Sequence, residues 1–554
     1  MDQAPPVAMS DASRRLIVLA TMSALFLAAL DQTIVVTAVP RIIAELSGLA
    51  LLPWVTTSYL LTSTTVLPLA GKAGDRFGRR AVFLLAIAIF VVGSLAAGAA
   101  QTMLQLVVFR AVQGAGGGML MATAFAVIGD LYSPRDRGRI QGVMAAVFGI
   151  ASVIGPIAGG IITDTASWRW VFYVQAPVAA AAATLVAIGM PRSPRSDGPR
   201  PPLDLAGAAA LASALVPLLL ALTWAGDRFE WASPAIAGLF ALAAAMAGVF
   251  VWVERRAPDP ILPLSLVRNR TFAVTGVAGF LVGFGMFATF TLVPLFLQGV
   301  NGVTASETGR LLTPLTLAIV GSSALAGQIV SRTGRYKLLI LAGIGAMAGG
   351  LAVLGTADGN TSRSEVVRNV MLAGVGLGVT LPTFTVVVQN ALPPRLMGVS
   401  TASVQFFRSV GGVTGVAVTT SLMLQRFRSG LAGSVADVPA IVGDPNKLLN
   451  ESTIDELRAS YEAGSAGGVP FEVALAASRT ALADAIGSVF LLAAVVVTIG
   501  FAAALLLPEL ALRSGSPAEW RRQTEADAAE DPVPRREAVA TDVQAATDGG
   551  ESHD

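Results

Sequence analysis

The sequence predicts an all-α polytopic membrane protein: two homologous six-helix bundles with two further helices inserted between them, fourteen spans in all. Three observations predict this. The chain is 54% hydrophobic and only 13% charged over 554 residues, too little charge for a soluble chain of this length. Apolar runs of about 20 residues recur, each long enough to cross a hydrocarbon core of roughly 30 Å. Finally, two stretches of loop sequence recur at nearly the same offset.

The runs place spans at 15–38, 50–70, 81–100, 104–129, 138–162, 169–190, 205–224, 234–254, 271–297, 307–328, 338–356, 367–390, 399–424 and 480–507. They are rich in Gly and Ala, which lets membrane helices pack closely. Alternate loops carry the basic residues: Lys72, Arg76, Arg79 and Arg80, then Arg135, Arg137 and Arg139, and further on Arg332, Arg335 and Lys337. The other loops carry few, among them Arg41, Arg169, Arg228 and Arg363. Basic loops stay in the cytoplasm, so both termini are expected there, which requires an even number of spans. Met1 to Ser13 shows no signal-peptide pattern, and Arg14-Arg15 precede a long run without a cleavage site, so the first span is read as retained.

The expected domains are a cytoplasmic N-terminus (1–14), an N-terminal six-helix bundle (15–190) and a linker holding spans 7 and 8 (191–270). A C-terminal bundle (271–510) follows, with an extracytoplasmic loop at 427–478. The tail at 511–554 is rich in Ala, Glu, Asp and Pro and reads as disordered and cytoplasmic. The expected setting is the bacterial cytoplasmic membrane.

Composition also excludes chemistry. There is no Cys, and the only His is His553 in the tail, so disulfides, thiolate metal sites and an imidazole relay inside the membrane are ruled out. A net charge of +2 gives no reason to expect a nucleic-acid partner. No Gly-rich loop with Lys-Ser/Thr is present, so ATP is not the expected fuel. No cofactor and no metal are expected.

The repeat is specific. Gly71-Lys72-Ala73-Gly74-Asp75-Arg76-Phe77-Gly78-Arg79-Arg80 follows span 2. Gly327-Gln328-Ile329-Val330-Ser331-Arg332-Thr333-Gly334-Arg335-Tyr336 follows span 10, 256 positions later. Pro134-Arg135-x-x-Gly138 is echoed by Pro394-Arg395-x-x-Gly398 at an offset of 260. Two loops at nearly one offset imply two parallel bundles, the architecture of alternating-access carriers with a site between repeats. The glycines permit a tight turn and close helix approach. Asp75 can sit against the positive N-terminal end of a helix from the other half, and the Gly398 echo puts the start of span 13 there. Ser331 replaces the acid in the second copy, so the latch is expected to be one-sided. The plain alternative is a basic loop that only obeys the charge rule.

This first loop resembles motif A of the major facilitator superfamily, and the resemblance extends over residues 15–510. Arg110-Ala111-Val112-Gln113-Gly114-Ala115-Gly116 resembles motif B, and Gly155-Pro156-Ile157-Ala158-Gly159-Gly160 resembles motif C, the antiporter signature. The stretches 30–40 (Leu30-Asp31-Gln32-Thr33) and 168–177 (Trp168-Arg169-Trp170) are similar to the fourteen-span drug:proton antiporter group. Gln175 departs from that group, which often has Asn, and Ala73 departs from motif A, which prefers a larger apolar residue. The resemblance implies the major facilitator fold, and it implies that Arg110 takes part in proton coupling. It also implies that motif C forms a bend sealing span 5 against ion leak; proline removes a backbone bond there, and paired glycines admit a neighbouring helix.

Asp31 lies about 16 residues into span 1, some 24 Å along a helix at 1.5 Å per residue. A carboxylate at such depth is costly and marks a functional site. Burial favours its neutral form and a nearby cation its charged form. Its alternative role is a structural acid bonded to Thr33 or a neighbouring helix. Arg110, several residues inside span 4, needs a carboxylate, a carbonyl or water, with Asp31 as candidate partner, or else snorkels to the interface. Arg408, Asp484 and Gln113 are further transport candidates; Asp484 alternatively lies only at the interface. Asp130, Glu254 and Glu307 fall near span ends, where water surrounds them. Met22, Phe284, Phe287 and Phe406 are candidate cavity lining, as Met and aromatic side chains fit varied apolar ligands, or else ordinary packing.

The expected function is a proton-coupled antiporter, not an enzyme, that exports lipophilic, often cationic, small molecules as a monomer. The proton gradient would supply about 2.3 kcal/mol per charge per 100 mV. Export of a lipid or another endogenous hydrophobic metabolite stays open, as does a non-transporting membrane sensor. A membrane-embedded enzyme would need clustered nucleophile, base or metal groups, and none is evident.

Overall fold

The computed structural model describes residues 11–46, 52–132, 134–191, 204–226, 228–258, 260–359, 361–393, 396–434, 454, 458–459 and 470–512. The first half contains α1 (Asp11–Leu46), α2 (Leu52–Phe77), α3 (Arg79–Gly98), α4 (Met103–Leu131), α5 (Pro134–Thr165), the short α6 (Trp170–Tyr173) and α7 (Gln175–Gly189). Next come α8 (Leu205–Trp224) and α9 (Pro234–Glu254). After the single turn α10 (Ser265–Arg268), the second half contains α11 (Arg270–Gly299), α12 (Ala305–Thr333), α13 (Lys337–Leu354), α14 (Arg363–Ala391), α15 (Met397–Ser434) and α16 (Phe471–Leu505). Eleven helical segments among the described residues are long and apolar enough to cross a membrane. The helices α2, α5 and α15 fall short of that measure, and α2 and α15 pack against each other across the two halves.

Side-chain caps fix where many helices begin. Thr102, Asp204, Ser233, Asn269, Thr304 and Ser362 each accept a hydrogen bond from a backbone amide in the first turn. Ser362 and Glu365 complete a capping box. Such caps stabilise a helix by ~1 kcal/mol each and set the turn that enters it.

The two halves repeat the same packing. In the first, α1 packs on α5 and α7, while α2 and α3 pack on α4; in the second, α11 packs on α15 and α16, while α12 and α13 pack on α14. The halves meet where α2 lies on α15 and where α5 lies on α12. Since α2 corresponds to α12 and α5 to α15, the two seams exchange equivalent helices, as a two-fold relation demands. Gly78 and Gly334, 256 positions apart, both take positive φ, 89° and 69°. Two six-helix bundles and an inserted pair make up the fourteen spans.

The inserted pair α8–α9 sits against only one seam. The helix α8 touches both α2 and α15. Trp224 at its end meets Trp54 of α2 edge-to-face with centroids 5.8 Å apart. Trp231, just beyond, donates from Nε1 to Ser421 Oγ of α15 at 2.6 Å.

Several boundaries differ from the sequence reading. The loop expected at 427–478 is shorter, because α15 continues to Ser434 and α16 begins at Phe471. Hydropathy marks only the apolar part of a helix, and these two run on past it. Most of what remains of that loop, all of 513–554 and residues 1–10 lie outside the described residues. Span 6 is interrupted, with α6 ending at Tyr173 and α7 starting at Gln175. The motif-A stretch is helical through Phe77, and the turn is made at Gly78 alone. Glu254, placed in water by the sequence reading, is 3% exposed. The chain after α9 folds back and donates the Ile261 and Leu262 amides to its Oε1.

Candidate functional site

The first half closes around one polar cluster. Asp31 of α1 is fully buried and Arg110 of α4 is 2% exposed. Arg110 Nη1 donates to Asp31 Oδ1 at 2.9 Å and Oδ2 at 2.8 Å. Gln113, one turn along α4, donates from Nε2 to Asp31 Oδ1 at 2.9 Å and accepts from Arg110 Nη1 at 2.7 Å. Gln175, the first residue of α7, donates from Nε2 to Asp31 Oδ1 at 3.0 Å and accepts from Gln113 at 3.1 Å. Four of these six bonds are donated to the Asp31 carboxylate, and the other two run between its partners.

Arg110 has a second set of partners. Its Nε donates to the Val55 carbonyl at 3.2 Å, and its guanidinium carbon lies 4.4 Å from the Tyr59 ring centroid and 5.9 Å from that of Phe172. The guanidinium therefore stays held when the Asp31 charge is neutralised. Arg110 does not snorkel to the interface, since burial and pairing keep it inside.

The motif-B glycines explain how the cluster closes. A side chain on Gly114 would strike Tyr59 and Thr62, one on Gly117 the Tyr59 hydroxyl, and one on Gly118 Ser63. All three belong to α2, so these glycines bring α2 and Tyr59 onto α4. The break between α6 and α7 sets Gln175 at a helix start, facing inward. Motif C touches the same cluster from the far side. A side chain on Gly155 of α5 would strike Thr33, and Thr33 Oγ1 donates to the Ala151 carbonyl at 3.2 Å. The Pro156 side chain lies outside the described residues, and Gly160 has open space beside it.

A second constellation joins the halves at the end carrying the basic loops. Asp75 Oδ1 accepts from the Gly398 amide at 3.1 Å and Oδ2 from the Val399 amide at 3.2 Å. Arg79 bonds Asp75 and also donates from Nε to Asp130 Oδ2 at 2.8 Å. Asp130, which the sequence reading left in water, is thus engaged by motif A. Gly71 packs on Gly398 and Ala402 with no room for a side chain. Gly74 packs on Arg79, while Arg76 lies 5.4 Å from the Phe77 ring centroid. In the second copy Ser331 donates its hydroxyl to the Gln328 carbonyl of its own helix.

Arg137 was legible only as one of three arginines in a basic loop. The structure buries it completely. It donates to the Gly129 and Tyr132 carbonyls of its own half, and from Nη1 to Gln389 Oε1 of α14 at 3.1 Å. Gln389 passes the link on, donating to Thr401 Oγ1 of α15 at 2.8 Å. The echo position of Arg137 in the second half is Met397, so no repeat signal singled it out.

Other sequence candidates stand apart from both clusters. Asp484 is exposed on α16. Met22 is enclosed with Leu25, Phe125, Ile128 and Met144. Phe284 is 5% exposed and packs on Gly415. Phe287 covers Gly412, and the Phe406 ring stacks edge-to-face on Phe407 with centroids 5.5 Å apart. Arg408 is half-buried on α15, and no hydrogen bond or ion pair is made by its side chain among the described residues. Among the described residues no group of three or more acids could hold a metal.

Comparison with known proteins agrees with this architecture. Residues 21–416 match the family described as Major Facilitator Superfamily. The chain is 42% identical over 413 residues to the multidrug transporter protein MdtP of Bacillus subtilis, covering 74% of this chain and 76% of that one. It is 34% identical over 455 residues to multidrug resistance protein 3 of the same organism, covering 80% and 88%. Among solved structures, the human organic anion transporter MFSD10 superposes with a TM-score of 0.58 at 15% identity, over 89% of this chain and 100% of that one. That likeness concerns the fold alone. With the repeated bundles, the two exchanged seams and the sequence match over most of its length, the chain belongs to the major facilitator superfamily of multi-pass membrane transporters.

Proposed function

We propose that the protein is a proton-coupled antiporter that exports lipophilic small molecules across the bacterial cytoplasmic membrane by alternating access. The observation that carries this reading is the buried Asp31–Arg110 pair with both glutamines. No Cys occurs and the one His is His553, so a carboxylate must carry the proton, and Asp31 is the buried carboxylate at the heart of the first bundle. The multidrug names of the relatives support efflux of small molecules.

The basic end is assigned to the cytoplasm by the distribution of Lys and Arg. Asp75 on the α15 amides and Arg137 on Gln389 then close the cytoplasmic gate, and this conformation faces outward. A proton arriving from outside neutralises Asp31. Arg110 remains on Val55, Gln113 and the Tyr59 face, and the loosened α1–α4 contact favours the inward-facing form. Loss of the proton to the cytoplasm restores the pair.

The test is proton release by purified protein on addition of substrate, run over a panel of lipophilic compounds in proteoliposomes. A coupled exporter releases protons on substrate addition and accumulates substrate under an imposed pH gradient. Substrate uptake that is indifferent to the gradient would contradict the reading.

A further inference from the structure

The transport reading leaves open what the cavity recognises, and one face of α15 bears on it. Thr401, Gln405, Arg408 and Gly412 follow one another at i, i+4, i+7 and i+11, so they form a single stripe along the helix. Its lower end is fixed: Thr401 accepts from Gln389, which holds Arg137 of the other half. The lower end of the stripe therefore lies where the two halves meet. Its upper end is fixed too, since Gly412 lies under the Phe287 ring of α11.

Between those ends stand two polar side chains without partners. Gln405 is 2% exposed, and both its Oε1 and Nε2 are buried with no hydrogen bond among the described residues. One turn further out, the Arg408 guanidinium meets no carboxylate. It lies about 16 Å along α15 from Met397 at 1.5 Å per residue, well inside the stretch read from the sequence as span 13 (399–424). An unpaired cation at that depth is costly and marks a functional site.

Every acid that could have neutralised it is committed or distant. Asp31 is taken by Arg110, and Asp75 and Asp130 by Arg79. Glu254 holds the Ile261 and Leu262 amides, and Asp484 is exposed on α16. The stripe thus presents one cation and one amide without partners, and no hydrogen bond or ion pair brings a carboxylate to it among the described residues.

We propose that Arg408 and Gln405 form the headgroup subsite of the transport cavity, and that the exported molecule carries an acidic group on a lipophilic body. The guanidinium fork matches a carboxylate, sulfonate or phosphate with two parallel hydrogen bonds. The Gln405 amide adds a third donor. Phe287, over Gly412, and Phe407, next to Arg408 in the chain, supply apolar surface for the body. This rests on the reading of the chain as an exporter, and it departs from the often cationic substrates expected from the sequence.

The test uses three dansyl-tagged twelve-carbon probes that end in a sulfonate, an uncharged sulfonamide or a trimethylammonium. Binding is measured by dansyl fluorescence on the purified protein in detergent, without any gradient. The wild type should bind the sulfonate at least tenfold more tightly than the other two. Arg408→Gln should erase that preference, Arg408→Lys should keep part of it, and Gln405→Leu should weaken sulfonate binding several-fold. Equal or tighter binding of the ammonium probe by the wild type would overturn the proposal, whatever the variants do. So would an Arg408→Gln protein, eluting as a single folded species, that binds sulfonate like the wild type. Gradient-driven uptake of the same probes into proteoliposomes tests the exporter reading separately. Selective binding with no uptake would sink that reading and leave the subsite standing.

Discussion

The Asp75 carboxylate spans two consecutive backbone amides of the opposite half, those of Gly398 and Val399, at 3.1 and 3.2 Å. A carboxylate at a helix start is favoured both by its hydrogen bonds and by the helix dipole. These are also the amides that a helix start leaves without intrahelical partners.

Asp75→Asn removes the charge and one of the two acceptors. Hydrogen bonds to charged groups contribute about 1.5–3 kcal/mol, so the balance should move at least tenfold towards forms open at the basic end. The chain lacks Cys, so Phe77→Cys and Arg335→Cys, both at exposed positions of that end, give clean spin-label sites. Longer label distances in the Asp75→Asn background are expected. A distribution unchanged from wild type would remove the latch from the account.

Gly71 offers a steric version of the same test. A Cβ there would lie 2.8 Å from the Ala402 Cβ and press on the Gly398 backbone. Gly71→Val should leave the bundles folded but prevent the α2–α15 seam from closing. The spin-label pair should then report only the open form, and transport should fall below a tenth of wild type. Ordinary transport by Gly71→Val would mean that the seam need not close this tightly.

Gln175 deserves its own variants because it donates to Asp31 Oδ1 at 3.0 Å. Gln175→Leu withdraws a donor that favours the charged carboxylate. The pH dependence of transport should move to higher pH. Gln175→Glu, in which an acid faces Asp31, should move it further. Arg110→Ala should shift it in the same direction by more than Gln175→Leu. A pH profile that stays in place in both Gln175 variants would make the residue structural only.

Much of the fold was legible because its causes are local or periodic. Apolar runs announce spans, and the 256-residue repeat announces two halves and even the paired positive-φ glycines Gly78 and Gly334. Asp31 and Arg110 were legible as partners because charge is so costly at their depth. Gln175 was visible only as a departure from a family pattern, and nothing in the sequence joined it to Asp31. Arg137 was hidden by its neighbours, since three arginines in one loop read alike and only packing shows which is buried. Glu254 was misread because the chain that covers it folds back after the helix has ended. The seat of α8–α9 on the α2–α15 seam depends on Trp54, Trp224, Trp231 and Ser421, residues far apart in sequence.

The central claim is that Asp31 carries the proton. It pairs with Arg110 at 2.8 Å with no exposure at all, so it acts through the pair and its opening. Asp31→Asn imitates the protonated form and keeps an acceptor for Arg110, so the protein should fold and insert. The decisive measurement is accumulation of substrate against its own gradient in proteoliposomes under an imposed pH gradient. The account predicts that Asp31→Asn abolishes accumulation while still exchanging substrate down a gradient. Accumulation by Asp31→Asn at the wild-type rate would contradict it.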